Sequence, residues 1–97
     1  MRIEILDEAL DDLAHGFQFY EQQESGIGAY FINSLYADID SLRLYAGVHQ
    51  KVFGFRRLLA KRFPFAIYYE VQSDCVQVYA VIDCRRSPTW IRRRLKN

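Results

Sequence analysis

The chain has 97 residues, a length that suits one domain with a modest core and is too short for two. Hydrophobic residues make up 51% of the chain and aromatic residues 15%, which excludes a disordered regulator. The net charge of +1 hides a division: residues 51–97 carry eleven Lys and Arg against three acids, whereas residues 1–50 carry two against nine. This asymmetry is typical of proteins that bind nucleic acid or an acidic protein partner, and it does not distinguish the two.

The two cysteines do not predict a disulfide or a metal site. If Cys75 and Cys84 lie on one straight strand, they are separated by about 30 Å, which exceeds disulfide reach. They form no C-x-x-C motif and have no nearby His pair, so we expect no metal, and no cofactor motif is present. The chain has no signal-peptide pattern and no apolar stretch approaching about 18 residues. We therefore expect a cytoplasmic protein that does not associate with membranes.

The first half predicts a short strand and two helices. Residues 2–6 alternate as a strand does, and Asp7 suits the N-cap of the helix that follows. Apolar side chains at spacings of three and four predict one buried stripe on each helix. These are Leu10, Leu13, Phe17 and Tyr20 in the first helix, and Phe31, Leu35, Ile39, Leu42 and Tyr45 in the second, with Asp38 at the rim. Residues 22–28 supply a turn, so the helices are expected to pack as an antiparallel hairpin.

The second half changes to a period of two and predicts three strands and a last helix. The strands are residues 51–59, 65–71 and 75–82, with a hairpin connection at residues 72–74. In the first of them one face is expected to carry Phe53, Phe55, Arg57 and Leu59. Ser87 caps the last helix, which has Pro88 in its first turn and directs Trp90, Ile91 and Leu95 inward. The predicted class is α+β, in the order β-α-α-β-β-β-α, with a small, mostly antiparallel sheet packed against a helical hairpin and a short C-terminal helix.

Basic side chains around these strands are the candidate binding residues. They are Arg56, Arg57, Lys61, Arg62, Arg85 and Arg86. If the strands pair as hairpins, the Arg pair at the end of the last strand approaches the first cluster and concentrates positive potential there. Arginine at such a place suits phosphate or carboxylate oxygens. The alternative is that these side chains give solubility and block association of sheet edges.

No catalytic constellation is visible. No serine lies in a G-x-S-x-G motif, and no glycine-rich phosphate loop precedes a helix. His15 and His49 are interpreted as structural or solvated residues. Asp83 is expected to orient Arg85 rather than to act as a general base.

Two segments resemble the RelE/ParE toxin superfamily. Residues 61–71 read KRFPFAIYYEV and residues 78–88 read VYAVIDCRRSP. They are similar to the family's basic residue and Phe-Pro-Tyr, its Ile-Tyr-Tyr strand, its Val-rich strand and its Arg-Arg-x-Pro ending. The resemblance extends over almost the whole chain. It implies a toxin of a type II toxin–antitoxin module, neutralised by a cognate acidic antitoxin.

The resemblance leaves three functions open. RelE-like members cut mRNA in the ribosome with basic residues, which would be Arg57, Lys61 and Arg85 here. Two further basic positions of that pattern fall at Leu59 and Ala66, and Trp90 lies near the usual Tyr but cannot transfer a proton.

The resemblance is therefore closer to the ParE branch, whose members inhibit DNA gyrase by binding. In that case the basic residues named above and Trp90 would contact a partner. The third reading is a non-toxic member that only binds an antitoxin, and a homodimer also remains open.

Overall fold

The computed structural model describes residues 1–96 and contains one five-stranded sheet with helices on both faces. The elements are β1 (Arg2–Ile5), α1 (Asp7–Gln23), α2 (Ile27–Asp40), α3 (Leu42–Tyr45), β2 (Lys51–Val52), β3 (Phe55–Leu59), β4 (Phe65–Gln72), β5 (Cys75–Asp83) and α4 (Pro88–Lys96). The strand order is β1-β5-β4-β3-β2. The predicted α+β class and the order of the main elements are confirmed.

The β4–β5 hairpin forms the centre of the sheet. It pairs antiparallel from Phe65 opposite Asp83 to Gln72 opposite Cys75, with an irregularity between Tyr68 and Tyr69. β1 pairs parallel to β5. The helices carry the chain from β1 at one edge of the sheet to β2 at the opposite edge, and the antiparallel strands then return to β5 beside β1. As predicted, β5 lies inside the sheet, and most of its side chains are buried.

The sheet separates two hydrophobic cores. The larger one lies under α1 and α2 and includes Leu13, Phe31, Ile67 and Tyr69. The smaller one lies on the opposite face, where Ile91 and Leu95 of α4 cover residues from β4 and β5 such as Tyr68 and Ile82. The helical hairpin and α4 therefore occupy opposite faces of the sheet.

The helical hairpin is closed by a contact that replaces a conventional cap. The N-cap residue of α2 is Gly26, which has no side chain that could cap the helix. The carboxylate of Glu21 in α1 instead accepts hydrogen bonds from the backbone N–H groups of Gly26 and Gly28. A negative group at a helix N-terminus also interacts favourably with the helix dipole. The connection has only three residues, 24–26, which is shorter than the sequence suggests.

Three helical predictions were wrong. Leu10 is 42% exposed and Tyr45 is 58% exposed, so neither belongs to a buried stripe. The buried face of α1 instead contains Ala9, Leu13 and Gly16. Ala9 and Gly16 are small, so this face allows α1 to lie close to α2 and the sheet. Asp7 is the first residue of α1 and makes no cap, since the N-cap is Leu6.

Asp38, expected at the rim of α2, is buried. Its carboxylate accepts a hydrogen bond from the backbone N–H of Lys61 at 3.1 Å. A buried carboxylate is costly without such a partner, so this bond fixes the loop after β3 against α2.

The predicted strand at residues 51–59 is two strands joined by a tight turn. Val52 pairs with Phe55, and the two residues between them, Phe53 and Gly54, have φ of 54° and 89°. Two successive positive φ values are the geometry of the two-residue hairpin whose twist matches that of the strands. Phe53 therefore lies in the turn rather than on a sheet face with Phe55 and Arg57.

In α4, the predicted Ser87 cap is confirmed, and the prediction that Trp90 points inward is wrong. The Ser87 hydroxyl accepts a hydrogen bond from the Trp90 backbone N–H at 3.1 Å. Ile91 and Leu95 are buried, but Trp90 is 39% exposed. The helix repeat of 3.6 residues places position 90 at the margin of the face that contains positions 91 and 95.

Cys75 and Cys84 are both free, as expected. No helix within residues 1–96 combines the length and the apolar character needed to cross a bilayer.

Candidate partner-binding groove

A groove lies where one edge of β5 is left without a neighbouring strand. β1 has four residues and pairs with β5 only from Cys75 to Val78, whereas β5 continues to Asp83. Beyond Val78, α1 flanks this edge from one face of the sheet and α4 from the other. The space between the two helices has a volume of about 580 Å³, which is within the range of ligand-binding clefts.

Asp12 of α1 covers the first part of the open edge. Its Oδ2 atom accepts hydrogen bonds from the Val81 backbone N–H at 2.9 Å and from the Arg94 guanidinium of α4 at 2.7 Å. Burial raises the pKa of the Asp12 carboxyl group, and the bonds to Val81 and Arg94 only partly oppose this effect. The side chains of Asp12 and Arg94 are 18% and 20% exposed, so this ion pair joins three elements in a partly desolvated place.

The walls of the groove are aromatic and apolar. Its lining consists of Asp12, His15, Gly16, Phe19, Phe65, Val81, Ile82, Asp83, Arg86, Trp90 and Arg94. Phe19 on the α1 side is 49% exposed, and Trp90 on the α4 side is 39% exposed. The guanidinium carbon of Arg86 lies 4.3 Å from the centre of the Trp90 ring, a cation–π contact. Large side chains of this kind are the anchors of many protein interfaces.

Most charges in the groove are compensated internally. Arg94 pairs with Asp12, and Asp83 receives hydrogen bonds from the Arg85 guanidinium at 2.9 and 2.7 Å. This contact lowers the pKa of the Asp83 carboxyl group and fits the predicted role of Asp83 in orienting Arg85. Arg86 makes no ion pair within residues 1–96. Arg86 is therefore the arginine of the groove lining that has no ion-pair partner in the described part of the chain.

The predicted basic residues do not form one continuous surface. In the register of β3 with β4, Arg56 lies opposite Tyr69 and Arg57 lies opposite Tyr68. These two tyrosines belong to the cores on opposite faces of the sheet. Neighbouring residues of a strand point to opposite faces, so the two arginines are separated by the sheet itself. Arg57 lies on the α4 side, beside Tyr68 and Cys84.

The other predicted residues lie at two further places. Lys61 and Arg62 are exposed in the loop between β3 and β4. Arg85 follows β5 and faces Tyr20 of α1 as well as Asp83. Arg86 and Trp90 are the members of the predicted set that the structure brings together in the groove.

Arg56 belongs to a network around His49. Its Nη1 atom donates to the His49 carbonyl oxygen at 2.8 Å, and the buried Tyr69 hydroxyl bonds to the His49 Nδ1 atom and accepts from the Gly47 N–H. Burial, together with the Arg56 charge, lowers the pKa of His49. These contacts tie the loop before β2 to the sheet, so part of the role of Arg56 is structural.

Three residues of the groove were not found by sequence reasoning. Asp12, Phe19 and Arg94 each look like an ordinary helix surface residue in the sequence, and they meet only because α1 and α4 approach the same strand end. No group of His, Cys, Asp and Glu within residues 1–96 is arranged to hold a metal ion.

The fold has a counterpart among solved structures, and it overlaps this chain with a TM-score of 0.78. That counterpart is a ParDE TA system. It is described as "Chromosomal ParDE TA system from P. aeruginosa", and the overlap covers 86% of this chain and 95% of the ParDE chain. The two sequences are 19% identical, so the likeness to the ParDE chain is one of fold. No protein-family model and no curated protein matches the sequence.

Proposed function

We propose that this chain is the toxin of a type II toxin–antitoxin module, of the ParE-like kind, and that a cognate acidic antitoxin neutralises it. The observation that carries the proposal is the overlap with the ParDE chain across nearly the full length of both chains. The groove adds support, because it combines exposed aromatic walls with an uncompensated arginine, as a surface for an acidic peptide would.

We propose further that the toxin acts by binding a target such as DNA gyrase. The sheet face on the α4 side carries the methyl group of Ala66 and the alkyl chain of Leu59 at two positions where RelE-like nucleases have basic residues. Burial raises the pKa of the Tyr68 hydroxyl on that face, which disfavours its use as a base near neutral pH. Arg57 lies beside Tyr68 on the α4 face, whereas Arg85 faces Tyr20 of α1 on the other face, so these two side chains point to opposite sides of the sheet.

Controlled expression in cells tests this function. We expect growth to stop with an SOS response and filamentation while protein synthesis continues, because a blocked topoisomerase damages DNA before it affects translation. The proposal predicts that an adjacent reading frame encodes a small acidic protein, and co-expression of that protein should restore growth. In a supercoiling assay, purified protein should inhibit gyrase.

The same experiment separates the alternatives. If translation stops first and mRNA is cleaved, the protein is a ribosome-dependent nuclease and the binding mode is wrong. If expression is harmless while the acidic protein still binds, the chain is a non-toxic antitoxin-binding member. In the nuclease case a triple substitution of Arg57, Lys61 and Arg85 to Ala should abolish mRNA cleavage, which is read out separately from growth.

A further inference from the structure

The open edge of β5 presents a specific pair of backbone groups. The Cys84 N–H bonds to the Pro64 carbonyl, and alternate residues of a strand face the same neighbour, so the N–H and C=O groups of Ile82 also face β4. Those of Val81 and Asp83 therefore point away from β4, toward the groove. The Val81 N–H is already used by Asp12, and the Asp83 carbonyl accepts from the Arg86 N–H in a turn. The Val81 C=O and the Asp83 N–H make no hydrogen bond to a helix or a side chain within residues 1–96. One acceptor and one donor therefore remain.

These two groups fit a parallel added strand better than an antiparallel one. In a parallel ladder, one residue bonds to the C=O and N–H of the two residues that flank its opposite neighbour. A residue opposite Ile82 in that arrangement would use the Val81 C=O and the Asp83 N–H. An antiparallel strand normally exchanges two bonds with Val81 and two with Asp83, and because one group of each residue is already occupied it would form only one bond at each position.

β1 follows the same parallel pattern one step earlier along β5. The Arg2 N–H bonds to the Asp74 carbonyl and the Leu6 N–H to the Val78 carbonyl, each at 3.0 Å. An added segment would thus continue the row of hydrogen bonds that β1 begins.

The walls and charge of the groove define the side chains of such a segment. A residue opposite Ile82 would point to the α4 face, toward Trp90, and its two neighbours would point to the α1 face, toward Phe19. Apolar side chains suit both walls. Arg86, the uncompensated cation, favours an acidic residue in the segment.

We propose that an extended, acidic and apolar segment of the antitoxin adds to the sheet in this groove, parallel to β5 and centred opposite Ile82. The proposal rests on the function proposed above, because it takes the antitoxin as the occupant. Binding by strand addition gives affinity through backbone bonds and specificity through alternate side chains.

Amide hydrogen exchange measured by NMR tests the geometry. The ¹⁵N-labelled chain is compared free and saturated with the small acidic protein encoded by the adjacent reading frame. We expect exchange of the Asp83 amide to slow by about tenfold or more in the complex, because it gains a hydrogen bond. The amides of Ile3 and Ile5, which point to the outer edge of β1, should not change. Between β5 and the added segment we expect no close Hα–Hα contacts, because parallel strands do not bring these atoms together.

Three results would overturn the proposal: slowed exchange at Ile3 and Ile5 instead of Asp83, Hα–Hα contacts of an antiparallel pair, or a complex in which Asp83 is unaffected. In the last case the complex still forms, so the proposed function stands and only the docking geometry fails. If no complex forms, both fail.

Substitutions give a second measurement that does not depend on amide assignment. Arg86→Glu should weaken the complex by about tenfold or more, whereas Arg93→Glu, an exposed arginine of α4 outside the groove lining, should change it by less than about threefold. Circular dichroism of both variants checks that they fold. Equal effects of the two substitutions would place the contact outside the groove.

Discussion

Gly16 determines how closely the two long helices approach. A Cβ atom at this position would lie 2.5 Å from Cζ and 2.6 Å from Cε2 of Phe31. The Phe31 ring is fully buried and packs against Tyr20, Phe63 and Phe65, so it has little freedom to move aside. The absence of a side chain at Gly16 is therefore a requirement of packing.

We expect Gly16→Ala to lower the free energy of unfolding by about 1–2 kcal/mol, because overpacking costs more than the gain in helix propensity. Urea denaturation measures the change. The matched variant is Ala14→Gly, at an exposed position of the same helix, which should cost about 1 kcal/mol through helix propensity alone. A higher midpoint for Gly16→Ala than for the parent chain would show that Phe31 can shift.

At the scale of elements, α4 is held to the rest of the molecule by a few side chains. Ile91 and Leu95 pack on the sheet, and Arg94 donates to Asp12 at 2.7 Å and to the Glu8 carbonyl and carboxylate at 3.3 and 3.4 Å. Arg94 thus connects the last helix to the first, and through Asp12 to the edge of β5.

We expect Arg94→Met to lower the free energy of unfolding by about 1–3 kcal/mol at pH 7, since the Asp12 carboxylate then lacks its partner in a partly buried place. The loss should shrink as pH falls. Burial raises the pKa of the Asp12 carboxyl group in the folded protein. The stability that this group contributes is therefore present at low pH, where the carboxyl is protonated, and is lost as pH rises through the folded-state pKa. Because the interactions with Arg94 lower the pKa of Asp12, removing Arg94 makes the stability of the protein depend more strongly on pH.

Urea denaturation at pH 7 and at pH 4 measures the effect of Arg94→Met. Arg93→Met, at an exposed position of α4, should behave like the parent chain at both values. A pH-independent loss would mean that the bond to the Glu8 carbonyl, and not the ion pair with Asp12, holds the helix.

How far the sequence predicts these elements depends on the range of the interactions. The Ser87 cap, the β4–β5 hairpin and the helical hairpin follow from patterns within about ten residues, and they were predicted. The Phe53–Gly54 turn was missed because Phe rarely adopts positive φ. The groove was missed because its walls lie some 70 residues apart in the chain and meet through Asp12 and Arg94.

At the scale of the whole molecule, the helices on the two faces of the sheet carry opposite charge. α1 and α2 carry seven acids and no Lys or Arg, whereas α4 on the opposite face carries four basic residues and no acid. The groove with Arg86 lies at the boundary between these faces. A nearly neutral protein with this arrangement has a strong electrostatic dipole, which orients a charged partner before contact.

We therefore expect the rate of association with the acidic antitoxin to fall by about tenfold or more as ionic strength rises from about 20 to 500 mM, because screening removes the steering. The dissociation rate should change much less, since contacts in the groove are mostly apolar. Stopped-flow mixing with the acidic protein encoded by the adjacent reading frame measures both rates through the fluorescence of Trp90.

The double variant Arg92→Gln and Arg93→Gln, which alters the basic face outside the groove lining, should lower the association rate and its salt dependence while leaving dissociation almost unchanged. Association that is indifferent to salt would mean that the charge division has no part in recognition.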